Sequence, residues 1–215
     1  MRRVDWHGRR RGWHVPVMIV VVAALKGGVG KTTTSVYLAA VAAASRRAVT
    51  LIDADAQASA AEWIEGAEGE PLEAVTVIEA PTSRLLTRAL ERLDPDEVGI
   101  VDSPPGNERM LENAMALADC VVIPTRVGGV ETARAEAVLD MVPRKTPAGL
   151  VISSARTYTR DYQDAIVAWK EAEVPVWGTI PERVGIASGP DGWLAPDGLD
   201  SFRAVWRRAQ RAVRG

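Results

Sequence analysis

The sequence predicts a doubly wound α/β fold, a mostly parallel sheet with helices on both faces. Three observations carry that expectation. Short apolar, β-branched runs alternate with alanine-rich stretches of helical period along the chain. The strand runs are apolar at consecutive positions, as burial on both sides of a parallel sheet requires. Polar and glycine-bearing motifs stand at the ends of those runs, where open α/β sheets bind their ligands.

In order, strands are predicted at 16–24, 48–53, 74–79, 98–102, 120–125, 149–154 and 174–180. Helices are predicted near 31–45, 58–66, 83–93, 107–118, 130–142, 158–172 and 199–213. The first strand, with Met-Ile-Val-Val-Val-Ala-Ala-Leu from Met18, leads straight into a glycine loop. The stretch from Ser188 to Gly198 is rich in Gly, Pro and Asp and reads as a surface loop. The last helix, Asp200 to Arg214, sets Phe202, Val205, Trp206, Ala209 and Val213 on one face and arginines on the other positions, the pattern of a terminal helix packed on the sheet. No internal repeat or low-complexity segment is visible.

Composition bounds the chemistry. The chain has 215 residues, 47% hydrophobic and 25% charged, which suits one α/β domain and leaves no room for a second. A formal net charge of −2 means that any nucleic-acid site is a local patch and not a property of the whole molecule. Lysine stands only at 26, 31, 145 and 170, against an arginine-rich background, so a lysine pair within six residues points to chemistry. The single cysteine, Cys120, allows no internal disulfide, fits a reducing cytoplasm and falls in a buried strand run. No run reaches the ~18 apolar residues of a spanning helix, so a soluble protein is expected.

Arg2, Arg3, Arg9, Arg10 and Arg11 precede the apolar run from Val15 to Leu25 and imitate a signal peptide. That run feeds a loop that needs a strand before it, and no small-residue cleavage site followed by a separate mature chain is evident. Residues 1–14 are therefore read as a basic, disordered and dispensable extension, and 15–215 as a single domain; Met18 is an alternative start. The other reading of the extension is a basic arm, with Trp6 and Trp13 interleaved, suited to touching phosphates.

The loop Lys26-Gly27-Gly28-Val29-Gly30-Lys31-Thr32-Thr33 lies between strand and helix. Glycines there let backbone N–H groups wrap a phosphate chain, and the helix N-terminus adds its positive dipole end. Lys31 can reach the outer phosphates, and the Thr32 hydroxyl suits Mg²⁺. The second strand ends Asp53-Ala54-Asp55-Ala56-Gln57, which puts two carboxylates at a strand's C-terminal end, with a separate role expected for each. Capping of the next helix is the ordinary use of such a pair. The strand Val98-Gly99-Ile100-Val101 ends in Asp102-Ser103-Pro104-Pro105-Gly106, a Walker B arrangement in which Asp102 holds a Mg²⁺-bound water.

These motifs resemble the deviant Walker family of P-loop ATPases, whose mark is Lys-Gly-Gly-x-Gly-Lys-Thr-Thr. That family includes the ParA partition ATPases, MinD, nitrogenase iron protein and arsenite-pump ATPases. Leu25 stands where the ordinary Walker loop has its first glycine. The 53–57 segment resembles the ParA pattern Asp-x-Asp-Pro-Gln with Ala56 in place of proline. The nitrogenase branch is excluded, because its cluster needs two cysteines per subunit. The resemblance implies an ATP-dependent homodimer in which Lys26 acts across the interface, Lys31 and the 27–33 loop hold phosphates, and Asp55 faces the attacking water. It also implies Thr32, Asp53 and Asp102 around Mg²⁺, and Pro181 within the segment 177–184 at the nucleotide edge. ParA-like chains carry an adenine-recognising asparagine after the strand equivalent to 149–154; here 151–156 has none.

For function the resemblance implies a cytoplasmic, nucleoid-associated ATPase that binds DNA without sequence preference and answers to a ParB-like partner. The DNA-facing candidates are Arg183, Arg203, Arg207, Arg208 and Arg211. The rivals are a MinD-like positioner using the last helix on a membrane surface and a scaffold in which nucleotide merely locks the fold. A metabolic kinase or a dethiobiotin-synthetase-like ligase shares the loop but calls for an acceptor site that is not recognisable.

Overall fold

The computed structural model describes residues 17–67, 69, 71–187 and 194–214, so the N-terminal extension lies outside the described residues. Seven strands form one sheet: β1 Met18–Val22, β2 Val49–Asp53, β3 Val75–Glu79, β4 Val98–Asp102, β5 Cys120–Thr125, β6 Ala148–Ala155 and β7 Val176–Pro181. Their spatial order is β3-β2-β4-β1-β5-β6-β7, and every pairing is parallel. The connecting helices are α1 Lys31–Ala43, α2 Ser59–Glu65, α3 Ser83–Leu90, α4 Glu108–Met115, α5 Gly129–Met141 and α6 Arg160–Glu171, then α7 Val184–Ala187 and α8 Pro196–Arg214.

The central strands are largely apolar because the sheet is covered twice, whereas the edge strand β3 exposes Thr76 and Glu79. Val20, Val22, Leu51 and Ile100 join α1, α2 and α8 in one core cluster. Ile19, Val21, Ile52 and Val101 join α3, α4, α5 and α6 in the other. Successive residues of a strand face opposite sides, so each continuous apolar run feeds both layers. Cys120 is fully buried in β5, and burial pushes its thiol well above the ordinary range.

Helix α1 is buried along nearly its whole length, wedged between the sheet, α2 and α8. Its Tyr37 ring stacks on Phe202 of α8 with centroids 5.0 Å apart, and its hydroxyl accepts from Ala195 N–H at 2.9 Å. Gly198 lies so close that a β-carbon there would come within 2.5 Å of the Tyr37 ring. The structure lengthens two expectations and adds two elements. Helix α8 begins at Pro196, inside the stretch read as a loop, because proline suits the first turn of a helix; residues 188–193 of that stretch lie outside the described residues. Strand β6 extends beyond both ends of its predicted range, with Ser154 at a positive φ of 49° near its end. The four-residue α7 and a short 3-10 turn at Leu72–Ala74 are the additions.

Topology sets the site. β1, which leads into the glycine loop, lies between β4 and β5, and Val22 is in register with Asp102. Asp102 is in turn in register with Asp53 of β2. Two strand-end carboxylates are thereby placed side by side, next to the glycine loop.

Candidate nucleotide-binding site

The loop between β1 and α1 adopts the shape its glycines predict. Gly28 (φ 76°) and Gly30 (φ 95°) are left-handed, a conformation that side chains rarely take, and Gly30 is the N-cap of α1 without any side-chain cap. A helix N-terminus with no internal acceptor for its first amides is an anion site by construction. Lys31 is almost fully buried, and its Nζ donates to the Lys26 carbonyl at 3.0 Å, closing the loop on itself. Burial pushes the Lys31 ammonium down, against the attraction of Asp102 and Asp55.

A cavity of about 460 Å³ opens over this loop. Gly27, Gly28, Gly30, Lys31, Thr32, Thr33, Asp55, Pro181 and Arg183, nine of the residues singled out in the sequence, line it together. The Thr32 hydroxyl donates to Asp102 Oδ2 at 2.8 Å, and Ser35 donates to Oδ1 at 3.0 Å. Asp102 is almost wholly buried; burial, aided by the charge of Asp53, lifts its carboxyl to about 7 against the hydrogen bonds from Thr32 and Ser35 and the charge of Lys31. A hydroxyl and a carboxylate side by side at a phosphate-type loop fit Mg²⁺, which takes hard oxygen donors and shares its shell with phosphates and water. Among the described residues no cluster of three or more His, Cys, Asp or Glu could hold a metal alone, so the phosphates and water would supply the rest of that shell.

Asp53, Val29 and Lys26 are not among the residues that line the cavity. Asp53 was expected beside the Mg²⁺ shell, but its carboxylate is buried and spent on backbone. Oδ1 accepts from Asp55 N–H at 3.0 Å, and Oδ2 accepts from Ala60 and Ala61 N–H at 2.9 and 3.0 Å. It anchors the start of α2 and shapes the loop that presents Asp55. Val29 is buried behind the loop and does not line the cavity. Lys26 points out, its side chain half exposed, and meets Glu131 of α5 at 3.4 Å.

The arginines of the last helix divide. Arg203 pairs with Asp200, and Arg208 donates to the Val176 carbonyl at 2.7 Å. Arg207 and Arg211 are exposed, one turn apart, with no ion pair among the described residues. Arg183 is at the cavity wall, 3.8 Å from Asp197. Glu182, within the segment 177–184 expected at the nucleotide edge, also lines the cavity, whereas sequence reasoning passed over Arg126, Ser153, Ile186 and Phe202 as cavity residues. Arg126 and Ser153 could have been found from their place at the C-terminal ends of β5 and β6; Ile186 and Phe202 carry only the mark of core positions.

The fold and this site define an α/β P-loop protein built to hold a nucleotide. The pattern of the CobQ/CobB/MinD/ParA nucleotide binding domain (CbiA) matches residues 20–192, and the chain belongs to that family, on its ParA side. The chromosome-partitioning ATPase Soj of Thermus thermophilus is 29% identical over 211 residues, covering 80% of this chain and 84% of Soj. Protein ParA of Rhizobium radiobacter is 37% identical over 109 residues, which span 50% of this chain and only 48% of that relative. Among solved structures, the septum site-determining protein MinD of Pyrococcus horikoshii, in complex with Mg-ADP, superimposes with a TM-score of 0.74. It is 17% identical, with 91% of this chain and 96% of that one covered, which shows a shared fold.

Proposed function

We propose that this chain is a Mg²⁺-dependent ParA-type ATPase that dimerises on ATP and binds DNA without sequence preference, moving a DNA or protein cargo with a ParB-like activator. The observation that carries this reading is the loop itself, with a second lysine, Lys26, in front of the phosphate-facing Lys31. Lys31, Thr32 and the amides of 27–33 would hold the phosphates, with Pro181 at the far wall. Thr32 and Asp102 would hold Mg²⁺, whose chemistry is to neutralise charge on the phosphates. Asp55, on the cavity wall, would orient water, and Asp53 supports it through the loop. Lys26, turned outward and half exposed, would exchange its Glu131 ion pair for a partner subunit's nucleotide, where a cation stabilises charge developing on transferred phosphoryl oxygens.

A basic helix could instead serve a lipid surface, but the apolar face of α8 is already used. Phe202, Val205, Trp206 and Ala209 are buried against α1 and β7, leaving to solvent chiefly its arginines, with Asp197, Asp200 and Val213. That arrangement favours a phosphate-contacting surface, built from Arg207 and Arg211 with Arg203, Arg208 and Arg183 at its margins, over an inserting one. No helix among the described residues is long and apolar enough to cross a membrane, and action in the cytoplasm on the nucleoid follows from this reading. Light scattering with Mg·ATP tests it: wild type should form dimers and Lys26→Ala should remain monomeric while still binding ATP. A Lys26→Ala dimer would refute the role across the interface.

A further inference from the structure

Arg126 follows Thr125, the last residue of β5, and its exposed side chain lines the cavity. The cations on that wall differ in their partners. Lys31 is tied to the loop carbonyl and lies near Asp102 and Asp55. Arg183 faces Asp197 at 3.8 Å. Arg126 makes no ion pair and donates no side-chain hydrogen bond among the described residues; only its backbone carbonyl accepts, from the Thr125 hydroxyl at 3.4 Å. A guanidinium beside a phosphate-type loop, with no ion pair or side-chain hydrogen bond among the described residues and only a longer-range attraction to Glu182, is a fork open to an anionic oxygen.

Sheet order says which part of a nucleotide it would meet. Asp55 and Asp102 come from β2 and β4, on one side of β1. Ser153 and Pro181 come from β6 and β7, on the other side, and β5 lies between them and the glycine loop. With the terminal phosphate toward the carboxylates, the middle of the nucleotide passes over the end of β5. The charge of Arg126 is felt on that far side: Glu182 is held below the usual carboxylate range chiefly by its hydrogen bond from Arg156, and Arg126 adds to the effect.

Resting on the nucleotide reading above, we propose that Arg126 anchors the α-phosphate and ribose of the bound nucleotide, a contact common to ATP and ADP. The signal in the sequence is slight, one arginine among many, and its meaning comes from the strand that places it.

Calorimetric titration with Mg·ATP and Mg·ADP tests this on wild type, Arg126→Ala, Arg126→Lys and the exposed control Arg160→Ala. Arg126→Ala should weaken ATP and ADP by the same factor, about tenfold or more for removal of a charge-assisted hydrogen bond. Arg126→Lys, which keeps the charge but not the fork, should fall between, and Arg160→Ala should match wild type. A loss confined to ATP would move the guanidinium to the terminal phosphate and overturn the assignment. Unchanged affinities in Arg126→Ala, with wild type binding both nucleotides, overturn this inference alone. Wild type binding neither nucleotide overturns the nucleotide reading and the inference with it.

Discussion

Asp53 offers the sharpest separation between a metal ligand and a structural anchor. Its carboxylate accepts from three backbone amides, those of Asp55, Ala60 and Ala61, in a fully buried position. Asp53→Ala strands all three donors. At about 1–3 kcal/mol for each buried donor left without a partner, the gross loss is roughly 3–9 kcal/mol. Two effects reduce it. Burial raises the Asp53 carboxyl above its ordinary value, so part of the bonding energy already offsets desolvation, and its charge also opposes the buried Asp102. A net loss of about 3–5 kcal/mol remains, and at about 2–4 °C per kcal/mol for a domain of this size the melting temperature should drop by about 6–20 °C. Asp53→Asn retains one oxygen, which can keep the two α2 amides while the new NH₂ faces Asp55 N–H, so about half that drop is expected. Thermal melting by circular dichroism, without nucleotide or metal, reads both. An Asp53→Ala protein that melts within about 2 °C of wild type yet loses its Mg²⁺ response would refute the anchor and return Asp53 to the metal shell.

Other outcomes follow from the same geometry. Gly198→Ala puts a methyl group against the Tyr37 ring and should cost about 1–3 kcal/mol by overpacking the α1–α8 joint, read by urea denaturation. Asp119, which accepts from Ile19 N–H at 2.7 Å, is raised by burial, so the folded state holds its proton more tightly than the unfolded one. Its stability contribution is present below the ordinary carboxylate value and is lost as pH rises through the raised one; the advantage of wild type over Asp119→Asn should therefore shrink from about pH 4 upward. The double change Arg207→Ala with Arg211→Ala should leave nucleotide affinity intact and weaken DNA binding for all sequences. Its salt dependence should become shallower by about 0.9 for each phosphate no longer neutralised, measured by titrating duplex DNA at several salt concentrations.

Strands β1, β2, β4 and β5 were legible because each is a largely apolar run buried at every position, while the edge strand β3, with Thr76 and Glu79 exposed, shows through its β-branched residues. The glycine loop was legible because Gly28 and Gly30 occupy backbone conformations that glycine tolerates far better than other residues. What the sequence hid is directional. Asp53 and Asp55 stand two apart at one strand end, and nothing in their spacing says that the first turns inward onto the α2 amides while the second faces the cavity. The four residues of α7 are too few to show a period. Arg126 reads as one more arginine until the strand order places β5 beside the loop. Phe202 and Ile186 look like core positions and are, but the core they belong to also forms the cavity wall.

The measurement that bears most directly on the central claim is the fluorescence anisotropy of a random-sequence DNA duplex, titrated with the protein and Mg²⁺ in the presence of ATP or of ADP. The account predicts tight, salt-sensitive binding with ATP and little with ADP, since only ATP assembles the dimer that doubles the arginine surface. Equal binding with both nucleotides, or none with either, would contradict it.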